Sequence, residues 1–474
     1  MSWQTIGLMR NEILILLAIL IVLLADLFLP ESKKKAVIHT AHLTFSVVLI
    51  AGFFPYAEGK LFGGSFVTQP LIGFFKTILN IGVMLIMLQA VEWIERDLIP
   101  QGFASEFYIL MWSSLLGLDF MISSGDFLMF YLGLELASLP VGAMVAFEFF
   151  KKRSAEAAIK YVMLAAMSSA VMLFGISLIY ATSGSIYFHD ILHSSRIPLL
   201  ELVGFVMMVS GIAFKISLVP FHFWTADVYE GAPTVVSNYL SVISKGAAVF
   251  ILMILLFVPL RRYQQTWTFM LYGLAIVTMF TGNFFALRQQ NMKRFLAYSS
   301  IAQAGFILLG VIGGNVMALK TVIYFVLIYI FSNVAAFGAV HVIAMKSGKE
   351  NIKDYEGLYR TNPRISLILM LSLFSLAGIP PVAGFFGKFF LYSTAASKGF
   401  YWLVFIAVVN VTISLYYYLL PVRAAFLRTS DNPIPYFKSD IYTKIGFVLL
   451  AVGLILIGLY SPLYEYIAEI SKIL

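Results

Sequence analysis

Fourteen apolar stretches follow one another along this chain, near 11–29, 36–54, 70–90, 106–123, 126–148, 155–181, 200–219, 232–257, 266–284, 294–314, 317–345, 365–397, 402–421 and 442–461. A helix of about 20 apolar residues crosses the hydrocarbon core of a bilayer. A chain built this way cannot hide its surface in water. Of its 474 residues 61% are hydrophobic and 12% charged, against about 45–50% and about 25% in soluble domains. A soluble enzyme, a disordered chain and a fibrous one are all excluded. The expected fold is an all-α polytopic membrane protein of about fourteen transmembrane helices. With no cysteine in the chain, neither disulfides nor thiolate ligation of zinc, iron–sulfur clusters or haem is available to it. The stretch Ile13–Leu29 is followed by Pro30-Glu31-Ser32-Lys33, which lacks a small-residue cleavage pattern, so it reads as a retained first span.

The net charge of +8 is an orientation signal. One set of alternating loops, from Lys33–Lys35 through Lys151–Arg153 to Lys444, holds nineteen of the 32 Lys and Arg; the other side, termini included, holds seven. The positive-inside rule puts the first set in the cytoplasm and both termini outside. The remaining six fall inside the spans: Lys76, Lys160, Lys215, Lys245, Lys320 and Lys388.

The chain also echoes itself at an offset of 160 residues: Ala158-Ile159-Lys160 against Ala318-Leu319-Lys320, Phe107-Tyr108 against Trp267-Thr268, and Pro220 against Pro380. One offset links spans four to eight with spans nine to thirteen. Five is odd, so the second copy enters the membrane from the opposite side, the inverted-repeat plan of transporters. The expected organisation is an N-terminal three-helix segment over 1–105, five-helix repeats over 106–257 and 266–421, and a C-terminal loop and last helix over 422–474. Both prolines interrupt spans and free backbone carbonyls, which is tolerated at depth where protein or water satisfies them. With Lys215 five residues before Pro220, and Lys388 near Pro380-Pro381, the breaks read as parts of a hydrated path rather than packing kinks.

An ionisable side chain at the bilayer centre costs about 2.5–3.5 kcal/mol on insertion scales and marks function by default. Glu135 and Lys245 lie mid-span, and Lys215 and Lys388 flank the breaks. The bland alternative for each is an ion pair that only fastens helices. Lys160 follows Glu156 by four residues, the spacing of a helix-surface pair. Lys320 and Lys76 read as snorkelling candidates, and His341 as a possible relay member. His222 follows the first break and reads as lining its cytoplasmic mouth. His39 with His42, and His189 with His193, have helical spacing but no third ligand nearby, so helix ends explain them better than a metal.

At these residues a family emerges. Lys215-Ile216-Ser217-Leu218-Val219-Pro220-Phe221-His222-Phe223-Trp224, continuing through Asp227-Val228-Tyr229-Glu230-Gly231-Ala232-Pro233-Thr234, closely resembles the signature of the N subunit of the bacterial respiratory NADH–quinone oxidoreductase (complex I). Leu296–Ala302, Ser375–Pro381 and Gly384-Phe385-Phe386-Gly387-Lys388 resemble further blocks of it. The resemblance implies fourteen helices in two inverted five-helix bundles and a part in driving protons across a bacterial inner membrane, as one subunit of a translocase. It implies a glutamate on the fifth helix and lysines on the seventh, eighth and twelfth, which fall on Glu135, Lys215, Lys245 and Lys388, with Lys160 as an associated lysine on the sixth. It implies no cofactor in this chain, with FMN, iron–sulfur clusters and quinone in partner subunits. The partners are then the other membrane-arm subunits, the lipid bilayer, protons and internal water, with no nucleic acid. Gln303 stands where relatives often carry histidine, Ala226 where proline is common, and Asn11 before Glu12 where proline is usual.

The expected mechanism is a switchable Glu135–Lys215 pair, a relay through Lys245 and passage outward at Lys388. Opposite charges about 4 Å apart at an effective dielectric near 20 interact by roughly 4 kcal/mol, and moving one charge through 100 mV takes about 2.3 kcal/mol. The switch is large enough to matter against a membrane potential. The rival readings are a cation/proton antiporter subunit and a non-conducting spacer of the same complex.

Overall fold

In hydrocarbon a backbone must satisfy its own polar groups, and a helix does so within one segment. Each apolar stretch accordingly forms one. The computed structural model describes residues 7–30, 33–191 and 198–471. The helices are Arg10–Phe28 (α1), Ala36–Gly52 (α2), Pro70–Trp93 (α3), Ala104–Ile122 (α4), Phe127–Val145 (α5), Lys152–Ser183 (α6), Leu199–Ile216 (α7) and Phe223–Gly231 (α8). Then come Thr234–Phe257 (α9), Gln264–Leu287 (α10), Met292–Val311 (α11), Val316–Ser347 (α12), Pro363–Ala377 (α13), Ala383–Ala396 (α14), Tyr401–Leu427 (α15), Ile441–Leu459 (α16) and Ser461–Ile470 (α17). Among the described residues twelve helices are long and apolar enough to cross a membrane, and α2 and α13 are shorter apolar ones. Together they fall one by one on the fourteen stretches. A small antiparallel hairpin, Gly59–Leu61 (β1) with Phe66–Thr68 (β2), and the terminal α17 were not expected.

Side chains start the helices where the pattern turns apolar. Asp126 accepts the Met129 amide at 2.7 Å, Asn291 the Lys293 and Arg294 amides at 2.9 and 3.2 Å, and Asn315 the Ala318 amide at 3.0 Å, satisfying donors that a first turn leaves open. Pro70 and Pro363 occupy the first turns of α3 and α13, where a missing N–H costs nothing.

The chain divides into two compact units. One holds the described residues up to Lys215 together with Ile243–Gln264; the other holds Ile216–Val242 and the described residues from Gln265 on. In the first, α4 and α5 meet backbone to backbone. A Cβ on Gly117 would lie 2.3 Å from the Ala137 nitrogen, and one on Gly133 2.5 Å from the Met121 nitrogen, so only glycine permits this approach. In the second unit α12 is the buried centre, packed by α11, α13, α14, α16 and α17. Large apolar side chains remain exposed along α1 (Leu16, Leu20, Leu24), α6 (Ile159, Met163, Met167) and α16 (Val448, Val452, Leu456), as lipid- or subunit-facing helices require.

Two irregularities fall in the spans that carry the lysines. Within α9, Leu240–Ser244 forms a wider π-type turn directly before Lys245. The seventh and twelfth spans are broken as expected. After α7 Ser217 takes φ 67°, and after α13 Gly378 takes φ 86°; the bonds Val219–Pro220 and Pro380–Pro381 that follow are both cis. These landmarks are 161 residues apart, one more than the offset of 160 read from the sequence.

Candidate functional site

In the first unit Glu135, on α5, and Lys215, in the last turn of α7, line one cavity of about 60 Å³ with Ser138, Tyr161, Ser168 and Ser169. A cavity needs about 10–15 Å³ to hold a water, so this one accommodates several. Gly133 brings the Glu135 turn against α4. Lys215 Nζ donates to Ser138 Oγ at 2.5 Å and to Tyr161 Oη at 3.4 Å, while the Ser138 hydroxyl donates in turn to the Leu134 carbonyl at 2.5 Å. Glu135 feels the charge of Lys215, yet its buried Oε1 has no hydrogen-bond partner. The lysine is thus held by a hydroxyl beside a carboxylate with free acceptor capacity. A second cavity of about 10 Å³ runs from Lys215 to Ser244, past Ile212, Ala248 and Ile251. Lys245 follows Ser244 and is 1% exposed.

In the second unit Lys388, on α14, answers the broken span. Its Nζ donates to the Leu376 and Ala377 carbonyls at 2.7 and 3.1 Å, the acceptors that the end of α13 leaves without helical donors. It also lies 4.9 Å from the Phe306 ring centroid. Gln303 Nε2 donates to the same Leu376 carbonyl at 2.9 Å and to Tyr418 Oη at 3.1 Å, and Tyr418 meets Ser299 Oγ at 2.5 Å. Ser375, one residue before Leu376, meets Ser332 of α12 at 2.7 Å and accepts the Gly384 amide at 3.1 Å. At the other break Thr278 accepts the Val219 amide at 3.1 Å.

The remaining candidates lie elsewhere. Lys160 pairs with Glu156 at 2.7 Å on a half-open face of α6, the helix-surface pair its spacing allows. Lys320 sits 4.7 Å from the Tyr464 ring. His341 is buried within α12, and His222 is buried at the start of α8. Lys76 does not snorkel: it is 2% exposed and paired with Glu12, because a buried carboxylate from α1 meets it. Asp227 and Glu230 are both held by Arg294, at 2.7 and 2.9 Å, so this motif fastens α8 to the start of α11. No group of three His, Asp or Glu that could hold a metal comes together among the described residues; His193 lies outside them. Sequence reasoning missed Ser138, Tyr161, Glu12 and Asp119. The first two are ordinary helix residues, and the last two acquire partners only through non-local packing.

A family described as NADH:quinone oxidoreductase/Mrp antiporter matches residues 124–414. A protein of Azobacteroides pseudotrichonymphae named NADH-quinone oxidoreductase subunit N is 46% identical, over 98% of this chain and 97% of its own. One of the same name from Phocaeicola vulgatus is 44% identical over 97% and 98%. A chain of the structure of respiratory complex I from Thermus thermophilus with bound aureothin superposes with a TM-score of 0.78 at 27% identity, covering 95% of this chain and 97% of that one.

Proposed function

The chain belongs to the NADH-quinone oxidoreductase subunit N family, and we propose that it is a proton-translocating subunit of the membrane arm of such a complex. It works through a relay of Glu135, Lys215, Lys245 and Lys388, with Lys160 associated. The observation that carries the reading is the shared Glu135–Lys215 cavity. There a lysine rests on Ser138 while an unbonded carboxylate oxygen waits beside it. Swinging Lys215 from Ser138 to Glu135 needs no change of fold, only of rotamer. The narrow cavity toward Ser244 supports a step to Lys245 by at most a single water. The carbonyl cradle of Lys388 supports a terminal station stabilised whether or not the others are charged.

The two inverted repeats, over 106–257 and 266–421, belong to this reading. Their support is that each broken span uses the same device, a left-handed residue directly after the helix end. The driving free energy comes from quinone reduction in partner subunits that carry the FMN and iron–sulfur clusters. The chain sits in a bacterial inner membrane with both termini on the non-cytoplasmic side.

The test is Lys215→Ala in the chromosomal copy, with NADH-driven proton uptake measured in inverted vesicles and assembled complex quantified on a native gel. Normal assembly with depressed uptake is expected. Normal assembly with normal uptake makes the chain a spacer.

A further inference from the structure

A second buried charge cluster lies outside this relay. α1, α3 and α4, all in the first unit, bring together Glu12, Lys76 and Asp119, exposed by 2%, 2% and 0%. Lys76 is bonded to Glu12. Asn11 donates to Asp119 Oδ2 at 2.6 Å, and Asn80 donates to Asn11 Oδ1 at 2.9 Å. Two oxygens are left over: Asp119 Oδ1 and Asn80 Oδ1 are both buried with no partner.

Charge and hydrogen bonding are both incomplete here. Two carboxylates face one ammonium, and an unbalanced buried charge costs several kcal/mol. Two acceptors are also left without a donor, and an orphaned buried acceptor costs about 1–3 kcal/mol. One added proton corrects both, since it neutralises Asp119 and turns an orphan acceptor into a donor. The charges acting on Asp119 are Lys76 and Glu12. The other elements packed on α4 bring as their titratable groups His39 and His42 from α2, Glu95, Arg96 and Asp97 from the turn after α3, Tyr131 and Glu135 from α5, and Lys245 from α9.

The cluster lies close to one end of these helices. Lys76 lies six residues into α3, about 9 Å along its axis, on the face where α1 and α3 begin and α4 ends. Over it sits Tyr56, from the loop after α2, with its hydroxyl 3.4 Å from Thr77 Oγ1 and its ring against Gly73. Arg10 lies 4.5 Å from that ring and ties the loop down through the Phe54 and Pro55 carbonyls at 2.8 and 3.2 Å. Burial raises the Tyr56 phenol above its ordinary value, so its hydroxyl stays protonated and able to pass a hydrogen bond.

We propose that Asp119 is a proton-binding site of the N-terminal helices, exchanging its proton with the face that Tyr56 covers. The site is independent of the Glu135–Lys215 cavity, and its test does not read pumping. In the intact complex, infrared spectra of wild type and Asp119→Asn are subtracted. Wild type is expected to show one extra protonated-carboxyl C=O band that shifts down in heavy water. Lys76→Met removes the balancing cation and is expected to add one such band, by protonating Glu12, so the idea is tested even if Asp119→Asn fails to assemble. Tyr56→Phe is expected to leave the band and slow its shift in heavy water. If Asp119→Asn removes no band, or Lys76→Met adds none, the site holds no proton. If sodium abolishes the wild-type band at constant pH, the occupant is a sodium ion and the proton assignment fails.

Discussion

Lys388 Nζ lies 2.7 Å from the Leu376 carbonyl oxygen, across the break that separates α13 from α14. The lysine therefore does for a broken helix what the next turn would have done for an intact one. It brings a cation to the interruption as well, and Gln303 shares the same acceptor.

Gly378 is where this arrangement is most easily upset. At φ 86° an alanine is strained, and its Cβ would meet Lys388 Cδ at 3.1 Å. Left-handed backbone costs an L-residue about 1–2 kcal/mol. Gly399→Ala, at φ 82° with nothing within 4 Å, carries the same strain without touching the lysine. Both variants should lower the thermal midpoint of the assembled complex, and only Gly378→Ala should lower proton uptake per complex.

Ser138→Ala removes the hydroxyl that holds Lys215. A hydrogen bond to a charged group is worth about 1.5–3 kcal/mol, so the lysine should shift toward Glu135 and be released less readily. Proton uptake should fall roughly ten-fold, about 1.4 kcal/mol of barrier, with assembly intact. Tyr161→Phe, which removes only the 3.4 Å contact, should have a smaller effect. Equal effects would mean that Ser138 is not the resting partner.

Gln303→Leu would remove one of two partners from Tyr418, which keeps Ser299, and from the Leu376 carbonyl, which keeps Lys388. The expected cost is about 0.5–1.5 kcal/mol for each bond lost, seen as a lowered midpoint in thermal unfolding of the complex. Gln303→His keeps a donor and adds a group that titrates near neutrality. It should restore stability and give proton uptake a pH dependence near neutrality that the native residue does not contribute.

Arg294→Ala removes one cationic partner shared by Asp227 and Glu230. The three side chains are 30%, 34% and 22% exposed, so screening limits the loss to about 1 kcal/mol. Recovery of intact complex on native gels should drop slightly at low salt, and the difference from wild type should shrink as salt rises.

Hydropathy made the spans legible because lipid imposes the same demand on every one of them: a turn after each run and few charges within it. The broken spans were legible through Pro220 and Pro380-Pro381, since proline announces its effect locally. Contacts made between distant segments were not. Lys76 looked like a snorkelling cation because its partner Glu12 lies 64 residues away, and nothing near either residue refers to the other. Asp119, near the end of α4, drew no notice in the sequence, because the groups that bury it come from α1 and α3. Ser138 and Tyr161 belong to residue types that occur throughout such helices, so only the position of Lys215 singles them out.

The wide turn at Leu240–Ser244 bears on how this chain tolerates change. An α-helix advances about 100° per residue, and a single π-type turn inserts roughly one residue's worth of phase. The helix after Ser244 is therefore rotated relative to the pattern set at Thr234, and Lys245 points where an unbroken helix would not have aimed it. Deleting any one residue between Leu240 and Ser244 would let the helix close into regular α geometry with the turns on either side left in place. The lysine would keep both its depth and its direction, whereas the same deletion in a helix without the wide turn would swing it by about 100° and draw it back by about 1.5 Å. The extra residue is slack that this span can lose without re-aiming its charge.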